Sequence, residues 1–155
     1  MSSQLKNYEA AKCIDGRDDG KEITKDNPDQ CSTKDKGKGG KAPWLAIDYG
    51  EGALVAVGKV VLANRLECCF ERAANLKIRL TNELPADAES MCEAGKLLAS
   101  YEGPGKKGEK IEIESDEGWE GFVGRYLLIQ MDKTEKPDAL NVKEITAFGK
   151  KFVHV

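Results

Sequence analysis

The sequence predicts an all-β chain folded as an antiparallel β-sandwich, and three observations support that prediction. Short apolar or alternating segments recur along the chain, and glycine or proline turn signals separate them. Helical periodicity is scarce: Asp87 to Leu98 is the one candidate, and we interpret it as a loop with a single turn. Many short strands at such spacing are typical of two packed antiparallel sheets.

Each predicted strand has its own pattern. Val, Ile, Leu and Ala dominate the first two segments, whereas the later ones alternate between apolar and polar residues, as half-buried strands do. The predicted strands are Trp44 to Tyr49, Leu54 to Asn64, Leu76 to Leu80, Ile111 to Glu114 and Tyr126 to Met131. Turn signals at 50–52, 103–105 and 136–138 punctuate them.

Length and composition predict a single domain over residues 1–155, with a tail at 150–155. The chain is 40% hydrophobic, enough for one core, and its net charge of −3 gives no reason to expect nucleic acid as a partner. No apolar run approaches a bilayer span, and no secretory signal opens this sequence. The polar segment from Gly16 to Lys41 is predicted to be a solvated loop.

The most informative segment is Asn64 to Ala73, in which two adjacent cysteines lie between two arginines. A bond between Cys68 and Cys69 closes a strained ring that is uncommon and usually marks a site. We predict that bond, which would form a small, rigid, apolar knob. Arg65 and Arg72 add forks of N–H donors suited to oxygen-rich ligands. An apolar patch flanked by fixed donors indicates a sugar-binding site.

This segment resembles the binding motif of the F-type lectins, also called fucolectins or fucose-binding lectins. Arg65-Leu66-Glu67, then four residues, then Arg72 reproduces the family's spacing, with Glu in place of Asp. Further matching segments are Ala10 to Gly16, Pro43 to Gly50, Gly124 to Tyr126 and Asn141 to Gly149. The resemblance implies a galactose-binding-domain-like jelly roll, an extracellular location, and a glycan or glycoprotein as partner.

The resemblance also implies a role for each candidate sugar-binding residue. Arg65 and Arg72 would donate to adjacent ring hydroxyls, and Glu67 would orient one arginine from behind. The Cys68–Cys69 pair would pack on the apolar edge of the ring. Thr33 stands where the family has a sugar-binding histidine, and Phe70 and Tyr8 are placed to touch the ligand.

The resemblance also implies a bound structural cation. It would lie near the turn at Asp15, with Glu144 of the closing strand as a ligand. Here Lys12 and Arg17 stand where asparagine is usual, and a hard cation prefers oxygen ligands. We therefore predict no cofactor and folding without calcium, with Asp15 and Glu144 as residual metal candidates.

The chain has five cysteines, so at least one thiol is free or pairs outside the chain. Beyond Cys68 and Cys69, the remaining three are Cys13, Cys31 and Cys92. Cys13 meets Cys31 if the turn at Asp15 folds back; the alternative is three reduced, buried thiols that behave as small apolar side chains.

The sequence contains no recognisable set of catalytic residues, and we predict that the protein is not an enzyme. The single histidine, His154, lies near the C-terminus, far in sequence from any cysteine or serine nucleophile. A redox role for the cysteine pair is disfavoured because thiol exchange favours spaced pairs with a low-pKa thiolate. Two functions stay open: a carbohydrate-binding lectin, or a protein-interaction or structural module that has lost its sugar site. The sequence does not set the oligomeric state.

Overall fold

Nine antiparallel strands provide nearly all the regular structure of the described chain. The structure, a computed structural model, describes residues 9–17, 30–33, 42–86, 93–116, 118, 121–132 and 139–152. The strands are β1 (Cys31–Ser32), β2 (Trp44–Asp48), β3 (Leu54–Ala63), β4 (Leu76–Thr81), β5 (Lys96–Tyr101), β6 (Lys110–Glu114), β7 (Tyr126–Met131), β8 (Asn141–Val142) and β9 (Glu144–Phe152). Two short 3₁₀ turns accompany them, Ala10–Cys13 and Phe70–Arg72.

The strands form two main sheets and a small ribbon. The larger sheet has the order β2-β7-β4-β5, the second has the order β6-β3-β9, and β1 pairs with β8. Every pairing is antiparallel. The predicted all-β antiparallel sandwich is therefore confirmed.

Alternating burial explains how the two sheets meet. In β4, Leu76, Ile78 and Leu80 are buried, whereas the intervening Lys77 and Arg79 are not. In β6, Ile111 and Ile113 are buried between exposed charged neighbours. Because successive side chains of a strand point to opposite faces, these inner faces pack together as one core.

The prediction of a loop with a single turn at residues 87–98 is wrong over its last three residues. Residues 96–98 begin strand β5, which pairs with β4, while residues 87–92 lie outside the described chain. A register shift opposite Ile78 and Arg79 lets consecutive residues, Leu98 and Ala99, both become buried. This bulge breaks the period of two by which a strand is identified in a sequence.

The predicted tail at 150–155 is also wrong over its first half. Lys150 to Phe152 continue β9, and Phe152 lies opposite Leu54 of β3. Ladder hydrogen bonds with β3 hold these residues even though their side chains are exposed. His154 and the other residues after 152 lie outside the described chain, as does most of the polar segment 16–41.

A disulfide joins Cys13 to Cys31 and so fastens the first 3₁₀ turn to β1. Both cysteines are buried in the main core. Of the two sequence-based alternatives, the pairing of these cysteines is the one the structure has; Cys92 lies outside the described residues. Closing a loop over a separation of 18 residues stabilises the fold by about 3 kcal/mol on the chain-entropy model.

Candidate functional site

Most of the predicted site residues lie in the loop between β3 and β4, residues 64–75, which we call the site loop. It leaves β3 after Ala63, makes the 3₁₀ turn Phe70–Arg72 and enters β4 at Leu76. Six of the predicted residues lie within it: Arg65, Glu67, Cys68, Cys69, Phe70 and Arg72. Cys68 is exposed and the other five are half-buried, so the group forms part of the surface.

Glu67 holds Arg65 from within the loop. The Nε of Arg65 donates to Oε1 of Glu67 at 2.6 Å, and Nη2 of Arg65 pairs with the same oxygen. Their side chains are only 13% and 17% exposed, so water competes weakly for this pair. The contact expected between Glu67 and one arginine is thus present. The Nη1 of Arg65 has no hydrogen-bond partner within the described chain.

The predicted bond between Cys68 and Cys69 is absent, because the structure has both as free thiols. Their Sγ atoms lie 2.7 Å apart and share a hydrogen bond. Cys69 adopts the left-handed region at φ 59°, which turns the chain into the 3₁₀ turn. The knob expected from a disulfide is therefore replaced by two adjoining sulfurs, with Nη2 of Arg65 3.7 Å from Sγ of Cys68.

The protonation of Cys68 bears on its reactivity. The hydrogen bond with Cys69, then partial burial, raises the pKa of the Cys68 thiol, and the nearby Arg65 opposes this only in part. A raised pKa keeps the side chain as a thiol at neutral pH.

Arg72 is placed by the turn that contains it. Its backbone N–H donates to the carbonyl of Cys69 at 3.2 Å, and the N–H of Ala73 donates to Phe70 at 3.3 Å. Phe70, half-buried, begins the same turn. The turn therefore sets where the arginine and the aromatic ring leave the backbone.

Thr33, which stands where the family has its histidine, is buried, and this burial counts against a contact with a ligand. Thr33 is 1% exposed, and its Oγ1 accepts the backbone N–H of Leu140 at 3.0 Å. Its own N–H donates to the carbonyl of Leu140 at 2.9 Å. The hydroxyl of this short side chain is thus directed to the backbone beside β8. Tyr8, the remaining predicted residue, lies outside the described chain.

The residual metal candidates, Asp15 and Glu144, both accept backbone N–H groups of the segment that follows the first 3₁₀ turn. Glu144 Oε1 accepts the N–H of Gly16 at 3.3 Å, and Asp15 Oδ1 accepts the N–H of Arg17 at 2.9 Å. Lys12 pairs with Glu9 at 3.2 Å. No group of three potential His, Cys, Asp or Glu ligands occurs among the described residues. The absence of the family's calcium stays a prediction.

Asn64 and the loop 102–109, which we call the brace loop, are the parts of the site that sequence reasoning missed. The side chain of Asn64 donates to the carbonyls of Phe70 and Lys106. Gly108 donates its N–H to the carbonyl of Arg65 at 2.7 Å. The glycine and proline at 103–105 indicate a turn, but nothing in their pattern says that this turn packs beneath the site loop.

Comparison with known proteins places the fold in one class. No family model and no curated protein matches the chain. Solved structures do, and they are lectin and carbohydrate-binding domains of the galactose-binding-like type. The chain has the fold of these domains. None of the helical segments in the described chain has the length and apolar character needed to cross a membrane.

Three of these structures show the extent of the similarity. An F-lectin (fucolectin) from the serum of striped bass, Morone saxatilis, superposes with a TM-score of 0.73 at 20% identity, covering 96% of this chain and 45% of that protein. A fucose-binding module of Streptococcus pneumoniae gives 0.64 at 17% identity, covering 96% and 88%. The lectin domain of lectinolysin, solved with Lewis B antigen, gives 0.61 at 23% identity, covering 95% and 88%. The chain thus spans less than half of the striped bass protein.

Proposed function

We propose that this chain is a non-catalytic, carbohydrate-binding protein of the F-type lectin kind that binds fucose-type or related neutral sugars at the site loop. One observation carries the proposal. Glu67 fixes the guanidinium of Arg65 along its Nε and Nη2 edge, and the Nη1 donors remain without a hydrogen-bond partner in the described chain. A fixed, charged donor pair at the surface suits the hydroxyl oxygens of a sugar.

The local charge supports a neutral ligand. Arg65 and Arg72 are matched within the site loop by Glu67 and Glu71. In the brace loop, Lys106 and Lys107 are matched in number by Glu102 and Glu109, and Glu109 accepts the backbone N–H of Lys106 at 2.7 Å. A site whose charges cancel has little long-range attraction for an anionic glycan.

The apolar part of the surface supports a ring-shaped ligand. The sulfurs of Cys68 and Cys69 adjoin at 2.7 Å, and Phe70 follows them directly in the chain. One face of a fucose ring presents C–H groups and a methyl group, which gain free energy by leaving water for such a surface. Polar donors beside an apolar patch match the two kinds of surface on one sugar.

The similarities agree with this proposal. The structures of similar fold include a fucose-binding module and a lectin domain solved with Lewis B antigen. We propose an extracellular location and a glycan or glycoprotein partner, as these relatives suggest. The Cys13–Cys31 disulfide supports the location, because such bonds persist in oxidising compartments.

Burial of Thr33 favours a second candidate function, a protein-interaction or structural module on the same fold. The histidine of the family has no counterpart at this position, since the hydroxyl of Thr33 is used by Leu140. A site without that group makes fewer hydrogen bonds to a sugar.

A glycan array followed by calorimetry with free fucose tests the two functions. The lectin proposal expects weak binding of fucose-type or related neutral glycans, with sulfated and sialylated glycans no stronger. If the parent protein binds no glycan at about millimolar concentration, the lectin proposal fails and the interaction module takes its place.

A further inference from the structure

A single buried amide, the side chain of Asn64, contacts the backbone of the site loop on both sides of the cysteine pair, at Arg65 and at Phe70. Asn64 follows the last residue of β3 and is 5% exposed. Its Oδ1 accepts the N–H of Arg65 at 2.9 Å, and its Nδ2 donates to the carbonyl of Phe70 at 2.9 Å. A second Nδ2 bond goes to the carbonyl of Lys106 at 3.0 Å. Both donors of the amide are therefore used.

These bonds connect the two arginines through one group. The backbone of Arg65 is held directly. The carbonyl of Phe70 also accepts the N–H of Ala73, so it is part of the 3₁₀ turn that carries Arg72. Fixing this carbonyl fixes the turn, and with it the point from which the Arg72 side chain leaves the chain.

The brace loop supports the same amide from the other side. The backbone carbonyl of Lys106 accepts a hydrogen bond from the side-chain amide of Asn64. The backbone carbonyl of Glu109 accepts the backbone N–H of Asn64 at 2.9 Å. Gly105 lies against the amide: a Cβ added there would be 2.5 Å from Nδ2 of Asn64 and 2.9 Å from Cβ of Ala73. The amide thus occupies a closely fitted space between the two loops.

From this geometry we infer that Asn64 is the positioning residue of the site, which sets the spacing of Arg65 and Arg72 for a ligand that it does not touch. The expected effect of Asn64 on sugar binding rests on the proposed function. Only an amide fits the role at this length, because it offers one acceptor to Arg65 and two donors to the two carbonyls. Aspartate would keep the acceptor and place a carboxylate against both carbonyl oxygens.

The first test uses that difference. In Asn64→Asp at about pH 7.5, repulsion between the carboxylate and the two carbonyls should open the loop and weaken fucose binding about tenfold or more. Burial raises the pKa of such a carboxyl, and the protonated form regains one donor. Binding by the variant should therefore recover in part as the pH falls to about 5, which is still above the pKa of an ordinary glutamate side chain.

Two controls separate positioning from a loss of stability. The parent protein and Asn64→Ala, which has no group to protonate, should keep nearly constant affinity over the same pH range. A general structural defect would lower binding in both variants alike. Parent-like binding by Asn64→Asp, or a loss that acidification does not relieve, would overturn the inference.

The backbone amide NMR signals of Arg65 and Arg72 give a readout that needs no sugar. Both signals should shift in Asn64→Asp and move back towards their parent positions on acidification. If the parent protein binds no glycan but these signals behave as expected, the proposed function fails and the positioning role stands. Signals that stay in place, in a variant that still folds, would refute the positioning role.

Gly105→Ala disturbs the same contact from the brace loop. Because the new methyl group meets the amide of Asn64, removing that amide should relieve part of its effect. The double variant Asn64→Ala, Gly105→Ala should therefore lose less stability to urea than the two single variants predict by addition. Additive losses would show that the two residues do not share one contact, and would count against the fitted geometry.

Discussion

Arg125 binds Asp48 through two hydrogen bonds, Nε to Oδ1 at 2.7 Å and Nη2 to Oδ2 at 2.8 Å. The same guanidinium lies over the ring of Tyr126, 4.8 Å from its centre. Asp48 ends β2 and Tyr126 begins β7, and the two residues are opposite each other in the ladder. The pair therefore joins one edge strand of the larger sheet to its neighbour.

This pair predicts a dependence of stability on pH. Hydrogen bonds from Arg125, then from the N–H of Gly50, lower the pKa of Asp48 from 3.8 to about 2. Because the folded state favours the carboxylate, its contribution is fully present above about pH 4 and is lost as the pH falls towards 2. Urea unfolding of the parent and of Asp48→Asn should differ most near neutral pH and converge below about pH 3. A difference in unfolding free energy that stays constant with pH would contradict this prediction. High salt should make the difference at neutral pH smaller, because the ion pair is exposed and salt screens it.

The two arginines should be the main donors to the sugar. Arg65→Ala and Arg72→Ala should each weaken fucose binding about tenfold or more, because a hydrogen bond from a charged donor contributes about 1.5–3 kcal/mol. Calorimetry measures the affinities. Lys150→Ala, which removes an exposed cation near the end of β9 and outside the site loop, is the matched control and should bind as the parent does. Equal losses in all three variants would indicate a general charge effect.

Glu67 should act through Arg65 and not by itself. Glu67→Gln keeps the side-chain length but removes the charge that holds Nε and Nη2 of Arg65, so we expect a several-fold loss of affinity. In the double variant with Arg65→Ala, the change at Glu67 should add little, because residues in one network are not additive. An independent, additive effect would mean that Glu67 meets the sugar directly.

Thr33 should affect stability and leave sugar affinity unchanged. Thr33→Val keeps the shape but leaves the buried N–H of Leu140 without its acceptor, which costs about 1–3 kcal/mol. The free energy of unfolding and the fucose affinity are measured on the same preparation. A weaker affinity in protein that is fully folded would restore Thr33 to the site.

Calcium should not stabilise the fold. The thermal midpoint should be the same with calcium and with a chelator, since an ion that does not bind the native state cannot shift it. The carboxylates of Asp15 and Glu144 already accept backbone N–H groups. A clear rise with calcium would show that further oxygen ligands complete a site there.

The sequence predicts those features of the fold and site that depend on interactions between residues close together in the chain. The alternation of Leu76 to Leu80 predicts a strand because each side chain has a fixed face, and Glu67 meets Arg65 because the two are close in the chain. The direction of the Thr33 side chain depends on a partner 107 residues away, which no spacing reveals. The role of Asn64 has no local sequence signal for the same reason, since one of its acceptors is 42 residues distant.

The order of the second sheet has a consequence for synthesis of the chain. β3 is its central strand, and Val61 pairs with Glu112 on one side and Thr146 on the other. At about 5–20 residues per second, translation leaves this apolar strand without its last neighbour for on the order of ten seconds. A nascent chain that lacks β9 presents an open edge of β3 to other polypeptides, so β3 is exposed to non-native strand pairing until Glu144 to Phe152 emerge.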